Sequence, residues 1–398
     1  MGYRRSIGAV VVAVGLAVAT GCGSSGDSTG SEEPGYAVTL RPIIEKLMKD
    51  NVIPGAVVAV RSPKQGDWTA AFGTGTLGEN KPPSTADHWR IGSNTKTMTV
   101  TVLLQLAQEG RLSLDDPIGK YQPGVPNGDR ITLAELADMR SGLYSYTFDR
   151  QFNATLDTDP QKVWTPEELL AIAFSHPVNF APGERFEYCN TNTVLLGLVI
   201  ENVTNMSMAE NFRTRIFEPL GLKHTSFPVA TDSAIPDPHP QGYAFGTNVE
   251  TIDTAALPPD QQAAALAGTL KPSDQTTASP SWAWTAGAAI STVGDLTTYV
   301  KALATGTMLD ARTQQIRIDS IPPVDPANPA AAAYGLGIVR FGPHLLGHDG
   351  QLPGFMSFMG YDPDSGLSIV VVTNLAAVPS GEGSALVLVK GMLPTFYP

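Results

Sequence analysis

Ser93 and Lys96 stand three residues apart in the stretch Trp89-Arg90-Ile91-Gly92-Ser93-Asn94-Thr95-Lys96. The stretch predicts a short extended segment, a turn at Gly92 and a helix with Ser93 at its N-terminus. Residues at i and i+3 share one helix face, so the hydroxyl and the amine can meet. A serine hydroxyl is a weak nucleophile at neutral pH until a base takes its proton. A lysine becomes that base when burial or a neighbouring cation lowers its pKa. The partial positive charge of the helix N-terminus favours an anion developing there. Ser-x-x-Lys alone is weak, because a helix cap followed by a solvated lysine reads the same way. In this chain, however, only Lys96 has a serine three residues before it.

Two further motifs carry chemistry. Tyr-x-Asn occurs once, as Tyr188-Cys189-Asn190. In an extended segment Tyr188 and Asn190 point the same way. The tyrosine could then carry a proton beside Ser93 and Lys96, and the asparagine amide could orient a carbonyl or amide of a substrate. The bland reading is a packed loop tyrosine and a turn asparagine. His-x-Gly also occurs once, as His348-Asp349-Gly350, followed by Gln351. Its bland reading is a lone histidine in a hairpin loop between two strands. An edge strand passing Ser93 would offer a backbone N–H for an oxyanion hole, and glycine would allow the close approach. A Gly-x-Ser-x-Gly match at residues 26–30 has neither strand nor helix around it and is read as chance.

The elements around these residues follow from periodicity. Val100, Val102, Leu103, Leu104, Leu106 and Ala107 leave the helix after Ser93 almost no polar face, which predicts a buried helix. Gly110 ends it as a C′ residue. A nucleophile on the first turn of a buried helix is rigidly held. Upstream, Ile43, Ile44, Leu47 and Met48 predict an amphipathic helix over 40–51, followed by paired strands at 56–60 and 68–73. Downstream, Thr132 with Glu135 forms a capping box, Pro166 opens a helix over 165–174, and 193–203 is an apolar helix. Residues 228–280 read as one long irregular loop, and 294–303 as a helix. The C-terminal part predicts antiparallel strands at 334–341, 356–362 and 367–373, then a closing helix at 384–393.

The 398 residues suffice for a large core and one or two domains. A net charge of -12 argues against nucleic acid as partner, since no basic patch is present to release counterions. Tyr3-Arg4-Arg5 and the apolar run 7–19 read as a targeting segment, too short for a membrane span. Ala19-Thr20-Gly21-Cys22 resembles a bacterial lipobox, with Cys22 lipidated, though leucine or valine is usual where Ala19 stands. The alternative is a plain secretory signal with an incidental cysteine. The paired arginines hint at twin-arginine export. On this reading residues 1–22 are the leader and 23–36, rich in Gly and Ser, a flexible tether, with membrane contact through the lipid anchor alone. The only other cysteine is Cys189, so a lipidated Cys22 leaves no internal disulfide. No Cys/His cluster has zinc spacing and no His-Glu-x-x-His occurs, so no metal is expected.

Ser93-Asn94-Thr95-Lys96, Tyr188-Cys189-Asn190 and His348-Asp349-Gly350 together resemble the motif set of the serine β-lactamase and penicillin-binding-protein superfamily. The likeness is to the branch holding class C β-lactamases, DD-carboxypeptidases, D-aminopeptidases and related esterases. It covers roughly residues 40–395, with support from Ser141-Gly142-Leu143, Pro182-Gly183-Glu184-Arg185-Phe186 and Tyr334-Gly335-Leu336-Gly337. Tyr-x-Asn and His-x-Gly stand as in DD-carboxypeptidases rather than class C enzymes. The resemblance implies an α+β fold: an antiparallel sheet flanked by helices, built from 37–90 and 286–398, with an inserted all-helical region over 91–285. It implies Ser93 as acylated nucleophile, Lys96 as the amine that activates it, and Tyr188 as general base and then acid. Asn190, His348, Asp349 and Gly350 would bind substrate, with His348 on the third strand near Tyr188, and the N–H groups of Ser93 and Gln351 would form the oxyanion hole. No cofactor is implied.

The function expected is a cell-envelope serine hydrolase acting on D-amino-acid peptides or related amides, with a small peptide, β-lactam or ester as substrate. A carboxylesterase on the same scaffold and an inactive peptidoglycan- or partner-binding lipoprotein are the alternatives. Threonine is usual between the histidine and glycine of the third motif, where its hydroxyl helps to hold a substrate carboxylate. Asp349 departs from that pattern, and an ionised aspartate facing the substrate would repel a carboxylate instead.

Overall fold

The computed structural model describes residues 33–398. The targeting segment, Cys22, the 26–30 match and most of the tether lie outside the described residues. Helix α1 (Gly35–Asp50) buries Tyr36, Ala37, Leu40, Ile44 and Met48 along one stripe. It starts earlier than its apolar spacing indicates. Gly35 and Tyr36 belong to it rather than to the tether, because the Tyr36 hydroxyl donates to the Gly66 carbonyl at 2.8 Å and its ring packs edge-on against Trp68.

The strands in chain order are β1 (Gly55–Arg61), β2 (Trp68–Gly73), β3 (Trp89–Arg90), β4 (Tyr243–Ala244), β5 (Ser273–Asp274), β6 (Ile290–Ser291), β7 (Ala333–Gly335), β8 (Ile338–Phe341), β9 (Leu345–Leu352), β10 (Phe355–Tyr361) and β11 (Ser368–Thr373). Seven of them form one antiparallel sheet in the order β2-β1-β11-β10-β9-β8-β7. Both ends of the chain meet in it: Val58 of β1 stands opposite Val371 of β11. These two central strands are continuous apolar runs because helices cover both faces. Alternate residues go to opposite sides. Val57, Ala59, Val370 and Val372 pack with helix α2 (Asn94–Gln108) and the helix Val293–Thr305. Val58, Val60, Ile369 and Val371 pack with α1 and the closing helix Ser384–Met392. Each such side chain, fully buried, contributes roughly 1.5–3 kcal/mol.

Three expectations are corrected. First, the strand read over 334–341 is two strands, β7 and β8. Gly337 turns between them with φ +60°, and a Cβ there would lie 2.4 Å from Val100 of α2. Second, the bland hairpin-loop reading of His348-Asp349-Gly350 does not hold, and the strand position implied for His348 by the resemblance does. The motif lies inside β9, opposite Met359, Phe358 and Ser357 of β10. Polar residues and glycine read as a turn, but here they line an open edge: of β9, β8 pairs among the described residues with Leu345, Leu346 and Gly347 and not with the three that follow. Third, residues 228–280 are not one irregular loop. They hold the β4–β5 pair and the helices Asn248–Thr251 and Pro259–Leu266, so the middle of the chain is not all helix. Tyr243 N–H lies within reach of two carbonyls, Gly354 at 3.1 Å and Asn374 at 3.0 Å, which ties this segment to the main sheet. The proline flanks and the alanine-rich run of the longer helix gave no clear period.

The remaining helices include α3 (Leu133–Ala137), α4 (Arg150–Thr158), α5 (Pro166–Phe174) and α6 (Asn190–Thr204). Thr132 closes a capping box with Glu135, as its spacing predicts, and Thr165 closes a second one with Glu168. Residues 34–398 form one compact unit.

Candidate active site

Ser93 caps α2 where the short β3–β6 pair delivers the chain to the edge of the sheet. The turn before it is clamped from beneath. Buried Ser357, a lone polar residue in apolar β10, donates from Oγ to the Ile91 carbonyl at 2.8 Å. Buried Asn94 donates from Nδ2 to Ser357 Oγ at 2.7 Å and to the same carbonyl at 3.1 Å.

Two glycines then let β9 and the turn touch. A Cβ on Gly350 would fall 2.0 Å from Ile91 O and 2.6 Å from Ser93 N. A Cβ on Gly92, whose φ is +53°, would fall 2.4 Å from Gln351 N. The amides of Ser93 and Gln351 are thereby brought to one gap between turn and strand. Two such donors are what an oxyanion needs.

Lys96 is fully buried. Its Nζ lies 3.0 Å from Ser93 Oγ and 2.7 Å from the Ala286 carbonyl. Burial lowers its pKa to about 7, against the opposing pull of Cys189 and Asp349. As a neutral amine it keeps an N–H for Ala286 and turns its lone pair to the Ser93 hydroxyl. The Tyr188 ring centroid is 4.8 Å from Nζ. Burial raises the Tyr188 phenol well above its ordinary value, and a hydrogen bond with Ser93 opposes this only in part. The phenol therefore rests protonated. In the free site Lys96 is the group able to take a proton and Tyr188 the group able to give one.

His348 is buried, and both of its ring nitrogens are occupied. Nδ1–H donates to the Asp349 carbonyl at 2.5 Å, and the Tyr334 hydroxyl donates to Nε2 at 3.2 Å. Burial, helped by Lys96, pushes its pKa down to about 3, so the ring is neutral. It shapes the wall rather than offering a nitrogen to a ligand. Asp349 exposes about a third of its side chain (32%), and it lines the same cavity as Ser93. Burial raises its pKa.

Tyr188 and Asn190 flank Cys189, which is extended (φ -140°). Asn190 N–H donates to Ser145 Oγ at 3.1 Å and its Nδ2 to Thr147 Oγ1 at 3.2 Å. It borders the site without lining the main cavity. The Cys189 thiol points inward to the Leu143 carbonyl at 3.3 Å, and burial raises its pKa to about 11.

A cavity of about 630 Å³ opens beside Ser93, Tyr188, His348 and Asp349, with Tyr334 and Arg140 in its wall. A second, of about 490 Å³, opens beyond Gln351 against Leu352 and Trp282. The sequence reading gave no role to Tyr334, Ala286, Ser357 or Arg140. Tyr334 stood in a quoted motif, and Ser357 was visible as the one serine in an apolar strand. Nothing marked Ala286 or Arg140.

Comparison with known proteins agrees with this geometry. A family model described as Beta-lactamase matches residues 40–389. Protein flp of Staphylococcus aureus is 26% identical over 340 residues, 84% of this chain and 62% of that protein, so the chain spans less than two thirds of this relative's length. Among solved structures, a D-stereospecific amidohydrolase from Streptomyces sp. is 31% identical with TM-score 0.74, covering 88% of this chain and 98% of that one. D-amino acid amidase from Ochrobactrum anthropi SV3, complexed with L-phenylalanine, is 28% identical with TM-score 0.72, covering 90% and 98%. The chain belongs to the Beta-lactamase family.

Proposed function

We propose that this β-lactamase-family chain is an acyl-transfer hydrolase that opens amide bonds of D-amino-acid derivatives at the cell envelope. The observation that carries the chemistry is the 3.0 Å approach of buried Lys96 Nζ to Ser93 Oγ. Lys96 takes the Ser93 proton, and Oγ bonds to the carbonyl carbon. The N–H groups of Ser93 and Gln351 hold the oxyanion. As the C–N bond breaks, the leaving nitrogen takes a proton from Tyr188. Water then attacks the acyl ester and gives its proton to the Tyr188 phenolate, and Ser93 leaves with the proton held by Lys96. Amide and water become acid and amine, and the enzyme is restored.

The D-configured substrate class is supported by the two solved relatives named for D-stereospecific amide hydrolysis. The envelope location rests on the basic leader and the small residues before Cys22. A carboxylesterase is the second reading, favoured by the apolar part of the cavity wall, which includes Phe186, Val339 and Phe341.

The test compares turnover of D- and L-amino-acid amides with that of a short nitrophenyl ester. Ser93→Ala should abolish turnover of all three. Hydrolysis of the ester alone would replace the amidase reading by the esterase. Equal turnover of D- and L-amides would remove the stereochemical part. Retention in the membrane fraction that disappears in Cys22→Ala is the matching test of location.

A further inference from the structure

The two cavities meet at Gln351, which lines both. A site that works by acyl transfer needs one space for the acyl group and another for the leaving group. The leaving atom must collect a proton as its bond breaks. Tyr188, the protonated phenol, lines the 630 Å³ cavity and not the other. That cavity is therefore the leaving-group side.

Asp349 sits in this cavity one residue before Gly350, whose missing Cβ lets β9 approach Ser93 N. Asp349 thus lines the same wall as Ser93, which a leaving group would face. Four nearby basic groups form no ion pair that neutralises it. His348 Nδ1 is 3.9 Å from Asp349 Oδ1, but the ring is neutral and its N–H is already given to a carbonyl. Lys96 is engaged with Ser93 and Ala286. Arg140, in the same wall, lies 3.6 Å from Asp138. Arg340 also lines the cavity, and among the described residues no ion pair joins it to Asp349.

We infer that Asp349 is the specificity residue of the leaving-group cavity: it turns away leaving groups with a carboxylate beside the scissile bond and admits neutral or cationic amines and alcohols. The enzyme is then an amidase or esterase rather than a carboxypeptidase, because a C-terminal D-alanine carries its carboxylate in that place. This rests on the proposed acyl transfer from Ser93.

The test uses two phosphonate esters alike except for the leaving group, 3-hydroxybenzoate in one and 3-hydroxybenzamide in the other. In both, the Ser93 Oγ–P bond forms, the P–O(aryl) bond breaks, and the aryl oxygen leaves with a proton. Labelling rates are normalised to the rates of the same esters with hydroxide. The wild type should take the benzamide probe at least about tenfold faster. Asp349→Asn and Asp349→Thr should each narrow that gap by about tenfold, and the neutral probe shows whether each variant is folded. A gap unchanged in both variants, or absent in the wild type, overturns the inference while Ser93 remains labelled. No labelling by either probe overturns the nucleophile itself, and this inference with it.

Discussion

The Tyr334 hydroxyl stands 3.2 Å from His348 Nε2, and the two rings meet edge-on at 88°. Tyr334 also packs edge-on against Tyr188, with centroids 5.9 Å apart. One side chain thus fixes the tautomer of the histidine and braces the proton carrier. Tyr334→Phe keeps the ring but removes the donor. A buried acceptor left without a partner costs about 1–3 kcal/mol, so urea unfolding should shift by that amount and Ser93 labelling should slow. NMR of the wild-type His348 ring should show neutral imidazole with the proton on Nδ1 down to pH 5. A His348 that titrates near its ordinary value would contradict the assignment.

Gly350→Ala should be far more damaging than its size suggests. The added carbon meets Ile91 O at 2.0 Å and Ser93 N at 2.6 Å, both backbone atoms of a turn clamped by Asn94 and Ser357. Either β9 or the turn must move, and the oxyanion gap opens. Loss of one oxyanion donor lowers rates by roughly 10²–10³, so labelling of Ser93 should fall at least a hundredfold, about 2.7 kcal/mol. Gly35→Ala, with nothing within 4 Å of the added carbon, is the control and should label as wild type. Near-normal labelling of Gly350→Ala would show that the gap is not where the oxyanion sits.

The reason sequence found some of this site and not the rest is physical. Ser93 and Lys96 were legible because helical spacing alone sets their distance. The buried helix behind them was legible from its apolar run. His348 left loop and strand open on residue types alone, since a strand edge facing a groove carries the same residues as a turn, and only the motif resemblance put it on a strand. Ala286 was invisible because what it contributes is a carbonyl, which every residue owns. Tyr334 acts through a contact made only after β7 and β8 bring it beside β9. Cys22 and the tether belong to a reading that the fold leaves open.

Arg317 offers a prediction about stability alone. It is fully buried, and its Nη2 donates to Thr101 Oγ1 at 2.8 Å, while Nε and Nη1 have no partner among the described residues. Burial lowers its pKa to about 10. A buried cation without a carboxylate is a cost that folding must overcome. Arg317→Met keeps the length and removes the charge, and Thr101 still donates to the Thr97 carbonyl at 2.6 Å. Urea unfolding of Arg317→Met should show stability equal to wild type or up to about 3 kcal/mol higher. A loss of more than about 2 kcal/mol would mean that ordered water satisfies the guanidinium.

Lys96 sets the expected pH dependence. Its pKa is lowered to about 7 in the folded chain, from an ordinary value of 10.5. Only the neutral amine can take the Ser93 proton, so labelling should rise tenfold per pH unit below about 7 and level off above it. The raised phenol of Tyr188 predicts no second break on the alkaline side up to pH 10. Stability follows the same group with a definite sign. The folded state holds the proton less tightly than the unfolded one, so the lysine's contribution is fully favourable above about 10.5. It is lost by roughly 1.4 kcal/mol per pH unit as pH falls towards 7, and then stays constant. Lys96→Met removes the base and the buried charge together. At pH 6 it should be unreactive towards the neutral phosphonate and yet more stable to urea than the wild type, the difference shrinking as pH rises to 10. A flat labelling profile between pH 5 and 8 would show that Lys96 is not the base. A Lys96→Met protein less stable than wild type at pH 6 would show that its ammonium is better satisfied by Ala286 and Ser93 than burial alone allows.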